Sequence, residues 1–205
     1  MRRILVIRHG ESEWNREGRW QGWTDIALTE TGEAQARARG ADLKAAGHRF
    51  AAISTSDLVR AARTAELIAD ALGGPTPRPE RGLRERFGGE WQGRNREEII
   101  AGWPREREAW QRGELPAPPG GESATELLGR VQATLTTLDA TAPPGPILVV
   151  THHGVVRQLS TRAGVPLTEL LIANLGGRWF DLDGPAIHAG DPLPPLTAAG
   201  VTDLE

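Results

Sequence analysis

The chain has 205 residues, enough for one α/β domain with a sizeable core, and no cysteine, which excludes disulfides and thiolate metal sites. Apolar residues make up 39% and charged residues 25%, an ordinary balance for a globular chain, and a net charge of -3 offers no basic surface for nucleic acid. The longest apolar runs, such as Ile147-Leu148-Val149-Val150, are far too short to span a membrane, and Met1-Arg2-Arg3-Ile4 opens no signal-peptide core, so a cytoplasmic protein is expected.

Ile4-Leu5-Val6-Ile7 reads as a buried strand, and Arg8-His9-Gly10-Glu11-Ser12-Glu13-Trp14-Asn15 follows it directly. Ligands of open α/β sheets bind at the carboxyl ends of strands. A neutral imidazole there can attack phosphorus, a neighbouring guanidinium suits phosphate oxygens, and a glycine lets the backbone approach closely. Residues 16–28 form a polar loop bearing Trp20 and Trp23, one of them expected to cover the core edge. Thr29 and the acids behind it start a helix that runs to about Ala46 and ends at Gly47.

Phe50 to Ser54 is a second strand, and Thr55-Ser56-Asp57 is expected to cap the next helix. Leu58, Ala62, Ala65, Ile68 or Ala69 and Leu72 give that helix one apolar face, which on periodicity alone leaves Arg60 and Arg63 to solvent. A short strand falls within 76–81. Leu83-Arg84-Glu85-Arg86 reads on composition as a surface salt-bridge cluster. Residues 94–113 form irregular helix broken at Gly102 and Pro104. Beyond Gly120-Gly121-Glu122-Ser123, a stripe of Ala124, Leu127, Leu128, Val131, Leu135 and Leu138 marks a long amphipathic helix.

Pro146 to Thr151 is an unbroken apolar run suited to a central parallel strand, followed by His152-His153-Gly154 and a helix over 155–164. The arrangement of the first site recurs: strand, histidine, glycine, helix. Adjacent histidines rarely ligate one ion, and no other His or acid lies at zinc-like spacing, so no metal is expected. Residues 172–175 and 178–182 suggest an edge hairpin turning at Gly176-Gly177. His188 and the Pro-rich tail from Asp191 show no site chemistry, and partial disorder is expected in the tail. The alternation of strands and helices argues a three-layer α/β/α sandwich with a mostly parallel sheet, taken as a single domain over 1–205.

The string from Arg8 to Asn15 closely resembles the first signature of the histidine phosphatase superfamily, which holds the cofactor-dependent phosphoglycerate mutases and many small phosphatases. Thr55 to Ala65, Leu83 to Gly93 and His152 to Arg157 resemble the second, third and fourth signatures, and Gly120-Gly121-Glu122-Ser123 a weaker family motif. The resemblance implies a phosphoglycerate mutase-like fold in which His9 carries the phosphoryl group and Arg8, Arg60 and His152 surround it. It implies that Glu85 protonates the leaving group, with Glu90 ranked below it, and that Asn15 lies near the phosphate. Gln21, Gly22 and His153 fall on the substrate rim; His153 stands where many relatives have glycine. No cofactor and no metal are implied. The partner is a small phosphorylated metabolite, and a homodimer is left open.

Two enzyme readings compete under this resemblance, phosphatase and mutase. Mutases of the family usually carry an insertion between the acid and the last histidine, a small hydroxyl residue before the Gly-Trp, and a lysine near Val59. Here the interval from Glu85 to His152 is short, and Gln21 and Val59 stand at those places. Gly22-Trp23-Thr24-Asp25 itself resembles the mutases. The expectation is a metal-independent phosphatase acting through phosphohistidine, with the mutase as alternative. A phospho-ligand-binding pseudoenzyme is ranked last, since His9 and Glu85 are both present.

Overall fold

The computed structural model describes residues 1–170 and 172–196. A six-stranded sheet in the order β3-β2-β4-β1-β5-β6 forms the middle layer. β1 (Arg2–Arg8), β2 (Ala52–Thr55), β3 (Arg78–Pro79) and β4 (Ile147–Thr151) are parallel neighbours, whereas β5 (Gly177–Asp183) runs antiparallel to β1 and to β6 (Ala186–Pro192). The sheet is therefore parallel over four strands and antiparallel at one side.

The apolar runs in β1 and β4 are continuous because both faces of the sheet are covered. Ile4, Val6, Ile147 and Val149 pack against α6 (Ala124–Thr141) and α7 (His153–Arg162), through residues such as Leu127, Val131 and Val155. Leu5, Ile7, Leu148 and Val150 face the other way, toward α2 (Glu30–Ala45) and α3 (Val59–Leu72), through Leu43, Ala65 and Ile68. Between α3 and α6 lie two short helices, α4 (Arg96–Gly102) and α5 (Pro104–Gln111), separated at Trp103 as Gly102 and Pro104 imply. A third short helix, α1 (Glu13–Arg16), is closed by a capping box between Ser12 and Asn15. This is the expected three-layer α/β/α sandwich with a mostly parallel sheet.

Three local expectations fail for reasons of tertiary context. The first concerns the cap of α3. Its N-cap is Leu58, without a side-chain cap bond. Asp57 turns away to pair both oxygens with Arg84 at 2.7 Å, while Asp25 Oδ1, from the loop after α1, accepts the Val59 N–H at 2.7 Å. The second concerns its buried face, which holds Arg60, Ala61 and Thr64, with Ala62 only half-buried. An arginine can sit there because the loop over 22–24 supplies carbonyl acceptors.

The third concerns the hairpin, which lies further along than expected. Residues 172–176 close over the end of β1, with Arg8 N donating to Gly176 O and Leu175 N donating to Arg8 O. Gly177 opens β5 so close to β1 that a Cβ would overlap Val6 O. The hairpin is β5–β6, turning at Gly184 with φ +58. β6 is a mostly exposed edge strand without apolar alternation, which hid it from pattern reading, and it includes His188 and Asp191. Residues 197–205 of the tail lie outside the described residues. No helix among the described residues is long and apolar enough to cross a membrane.

Candidate active site

The site begins with strand register. β1 and β4 are parallel with Arg8 opposite Thr151, so the next residue on each strand is a histidine beside a histidine. His9 N donates to Thr151 O at 2.9 Å, and the rings of His9 and His152 meet edge-on with centroids 5.1 Å apart. Both side chains are buried, His9 3% and His152 0% exposed.

Hydrogen bonding sets the tautomer of His9. Its Nδ1 lies 2.7 Å from Gly10 O, a carbonyl that can only accept, so Nδ1 carries the hydrogen. Nε2 then presents a lone pair, and Arg60 Nε donates toward it at 3.3 Å. The two contacts, made by different elements, require the same tautomer. The turn after His9 is fixed by close packing. Gly10 N donates to Thr64 Oγ1 of α3, and a Cβ on Gly10 would stand 2.5 Å from Gly32 O of α2.

Arg60 is fully buried on the first turn of α3. Its Nη1 donates to Thr24 O at 2.9 Å and its Nη2 to Gly22 O at 2.8 Å. Gly22 adopts φ +51, and a Cβ there would overlap the Gln92 side chain, so glycine alone fits this turn. Arg8 is 5% exposed; its Nη1 donates to Ile172 O at 2.8 Å.

Among the described residues, three buried nitrogens at this place have no hydrogen-bond partner: Arg8 Nε and both ring nitrogens of His152. Buried polar groups are nearly always bonded, so unpartnered nitrogens gathered around one histidine mark this place as the candidate binding site. Burial, and then the neighbouring Arg60, His9, Arg130 and Arg8, which would repel a second proton here, hold the His152 imidazole well below its ordinary pKa. It is a neutral donor at physiological pH, set among cations.

Glu85 approaches from the loop before a 3-10 turn at Gly89–Trp91 and is half-buried. Its Oε1 accepts the Arg86 N–H at 2.7 Å and its Oε2 the Gly154 N–H at 3.0 Å. Gly154 lies in the first turn of α7, whose N-cap is His152, so one helix N-terminus presents both the imidazole and a donor for the carboxylate. A Cβ at Gly154 would overlap Glu85 Oε1. Glu90 stands elsewhere: it is exposed and accepts from Trp103 Nε1 at 3.0 Å.

The remaining sequence candidates divide. Asn15 is 8% exposed; its Oδ1 accepts from Ser12 N and Oγ, and Asn174 Nδ2 reaches both this oxygen at 3.5 Å and His9 O at 3.0 Å. Gln21 is 8% exposed, and its Oε1 lies 2.8 Å from Ser12 Oγ, sharing that hydroxyl's one hydrogen with Asn15 Oδ1 and bracing the loop from within. His153 is the first residue of α7 and half-buried, adjacent to Gly154. Arg63 points outward to Glu33 and Glu66. No group of three His, Asp or Glu placed to hold a metal ion occurs among the described residues.

Sequence reasoning missed Asn174, Thr64, the Trp23 indole Nε1–H that donates to Glu85 O at 2.6 Å, and Arg130, whose Nη2 donates to the same carbonyl at 2.7 Å. Each acts across 45 residues of chain or more, beyond any local pattern.

Comparison with known proteins agrees with this geometry. The histidine phosphatase superfamily (branch 1) matches residues 4–175. The chain is 38% identical over 196 residues to the 2,3-bisphosphoglycerate-dependent phosphoglycerate mutase of Methylobacterium radiotolerans, covering 85% of this chain and 92% of that protein. Among solved structures, it resembles one called mycobacterial hydrolase 1 with TM-score 0.80 and 29% identity, over 92% of this chain and 95% of the other. A mycobacterial glucosyl-3-phosphoglycerate phosphatase in complex with VO3 follows, with TM-score 0.76 and 29% identity over 88% of this chain and 93% of that one. With the paired histidines on adjacent parallel strands, the buried arginines and a match over most of its length, the chain belongs to the histidine phosphatase superfamily, branch 1.

Proposed function

We propose that the protein is a metal-independent phosphatase that hydrolyses small phosphomonoesters in the cytoplasm through a phosphohistidine at His9. The observation that carries the reading is the Nδ1 contact to Gly10 O, which leaves Nε2 as a lone pair among Arg8, Arg60 and His152. In the first step Nε2 attacks phosphorus and the ester P–O bond breaks. Glu85, protonated at that moment, gives its proton to the departing alkoxide. In the second step a water attacks phosphorus, its proton passes to the Glu85 carboxylate, and the P–N bond breaks to release phosphate. Arg8, Arg60 and His152 hold the equatorial oxygens throughout and stabilise the charge spread over them. Asn15 adds a further donor through its Nδ2.

The mutase reading keeps the same first step and returns the phosphoryl group to a second hydroxyl. The names of the curated relatives favour it; the short interval from Glu85 to His152 and the residues Gln21 and Val59 favour hydrolysis. The test is to incubate the protein with 3-phosphoglycerate and 2,3-bisphosphoglycerate, following free phosphate and 2-phosphoglycerate together. Phosphate release well above isomer formation is expected, and the reverse ratio would establish the mutase. Enzyme quenched in alkaline denaturant should carry base-stable, acid-labile label from phosphate-labelled substrate, absent in His9→Ala. Label persisting in that variant would remove His9 from the mechanism.

A further inference from the structure

The loop that carries Glu85 has little structure of its own. A 3-10 turn covers Arg81–Leu83, and nothing regular follows until Gly89. Backbone carbonyls in such a stretch need partners from elsewhere. They come chiefly from one side chain. Arg130, on the second turn of α6, donates Nη1 to Gly82 O at 2.9 Å and Arg84 O at 2.6 Å, and Nη2 to Glu85 O at 2.7 Å. Its Nε and Nη2 also meet Glu122 Oε1 and Oε2, each at 2.7 Å. A guanidinium has five N–H donors, and these five contacts use all of them.

Glu122 completes the arrangement from the far side of the acid. Its Oε2 accepts the Phe87 N–H at 3.1 Å, and its own N–H donates to Phe87 O at 2.9 Å. The pair is largely sequestered, Arg130 20% and Glu122 11% exposed. Two charges withdrawn from water in a forked pair are retained only with good geometry and satisfied donors, as here. Resting on the reading of Glu85 as proton donor, we propose that Arg130 and Glu122 are positioning residues for that carboxyl. They hold the backbone at 82, 84, 85 and 87 so that the carboxyl meets the Gly154 N–H and the leaving oxygen. Neither touches the phosphoryl group.

Leaving-group dependence separates this role from a merely structural one. An alkoxide needs a proton in order to leave, whereas nitrophenolate does not. Arg130→Lys keeps the charge, but an ammonium with three donors on one atom cannot span three carbonyls and a carboxylate. Glu122→Gln keeps the shape and loses the ion pair; it carries the test should Arg130→Lys fail to fold. Each variant is assayed for single-turnover transfer from 3-phosphoglycerate and for the nitrophenol burst from nitrophenyl phosphate, with vanadate affinity reporting the phosphate pocket. Losses of about tenfold or more are expected on the first substrate, since small misplacements of a catalytic group cost up to about 10²-fold. The burst should change by less than about threefold, and vanadate affinity should hold.

In a Glu85→Gln background the same substitutions should have little further effect, because the group they position is gone. Equal losses on both substrates, or full losses persisting in Glu85→Gln, would overturn the positioning role. Absence of leaving-group dependence in Glu85→Gln itself would instead overturn the assignment of Glu85 as the acid, a separate failure.

Discussion

Lowering the pH should weaken the unliganded protein through His152, by an amount that follows from its burial. The ring is 0% exposed and both nitrogens lack partners. Burial, then Arg60, His9, Arg130 and Arg8, depresses its folded pKa well below the ordinary 6.5. The unfolded chain therefore binds a proton below pH 6.5 that the folded chain does not. Stability rises with pH wherever the unfolded state holds more protons, so this contribution is complete above 6.5 and is lost as pH falls below it, levelling off at the folded pKa. One unit below its pKa the unfolded imidazole gains about 1.4 kcal/mol by protonation, against less than ~0.1 kcal/mol one unit above. Between pH 7.5 and 5.5 the loss through this residue has a ceiling of about 1.3 kcal/mol, set by the unfolded imidazole, equivalent to at most roughly 3–5 °C in Tm for a chain of this size. Urea denaturation at both pH values, on the parent and on His152→Asn, isolates the effect, because the other titrating groups cancel in the difference. Parallel pH dependence in the two proteins would refute the claim that His152 is buried neutral.

Arg60→Ala should lower kcat/KM by about 10²–10³-fold, the usual loss on removing one charge-stabilising donor. Arg63→Ala should stay within about threefold, since Arg63 is an outward-facing member of a surface ion-pair cluster; comparable losses in two folded variants would contradict the geometry around His9. Gly154→Ala places a Cβ against Glu85 Oε1. It should reduce turnover of an alkyl phosphate by tenfold or more, within the range of about 10²–10⁴ that positioned proton transfer supplies. Transfer from nitrophenyl phosphate, read as the burst, should be nearly unaffected, and equal losses on both would show that the methyl disturbs the phosphate pocket instead.

Much of the architecture was legible because its signals are local. Continuous apolar runs at Ile4–Ile7 and Ile147–Val150 mark strands covered on both faces, and the stripe from Leu127 to Leu138 marks the face α6 buries. β6 was not legible, since an exposed edge strand needs no apolar alternation, and its identity comes from pairing with β5. Nor was the missing cap of α3, because Asp57 is claimed by Arg84, 27 residues away, and Asp25 accepts the Val59 N–H of the helix instead.

The same division runs through the site. The order of residues along the chain determined that a histidine follows each of two central strands, that a glycine follows His9, and that another stands beside His153. From helix periodicity Arg60 is a solvated residue, and only its resemblance to a signature suggested otherwise. Tertiary structure decided that it is buried, because the loop at 22–24 folds over it and offers two carbonyls. It also decided that the His9 and His152 rings meet, through the parallel register of β1 and β4, and that Glu85 faces the N-terminus of α7. Residue types and local periodicity state which groups can do chemistry. Which of them converge depends on strand register and on hydrogen bonds closed over long stretches of chain, and those exist only once the sheet and its two helical layers have packed.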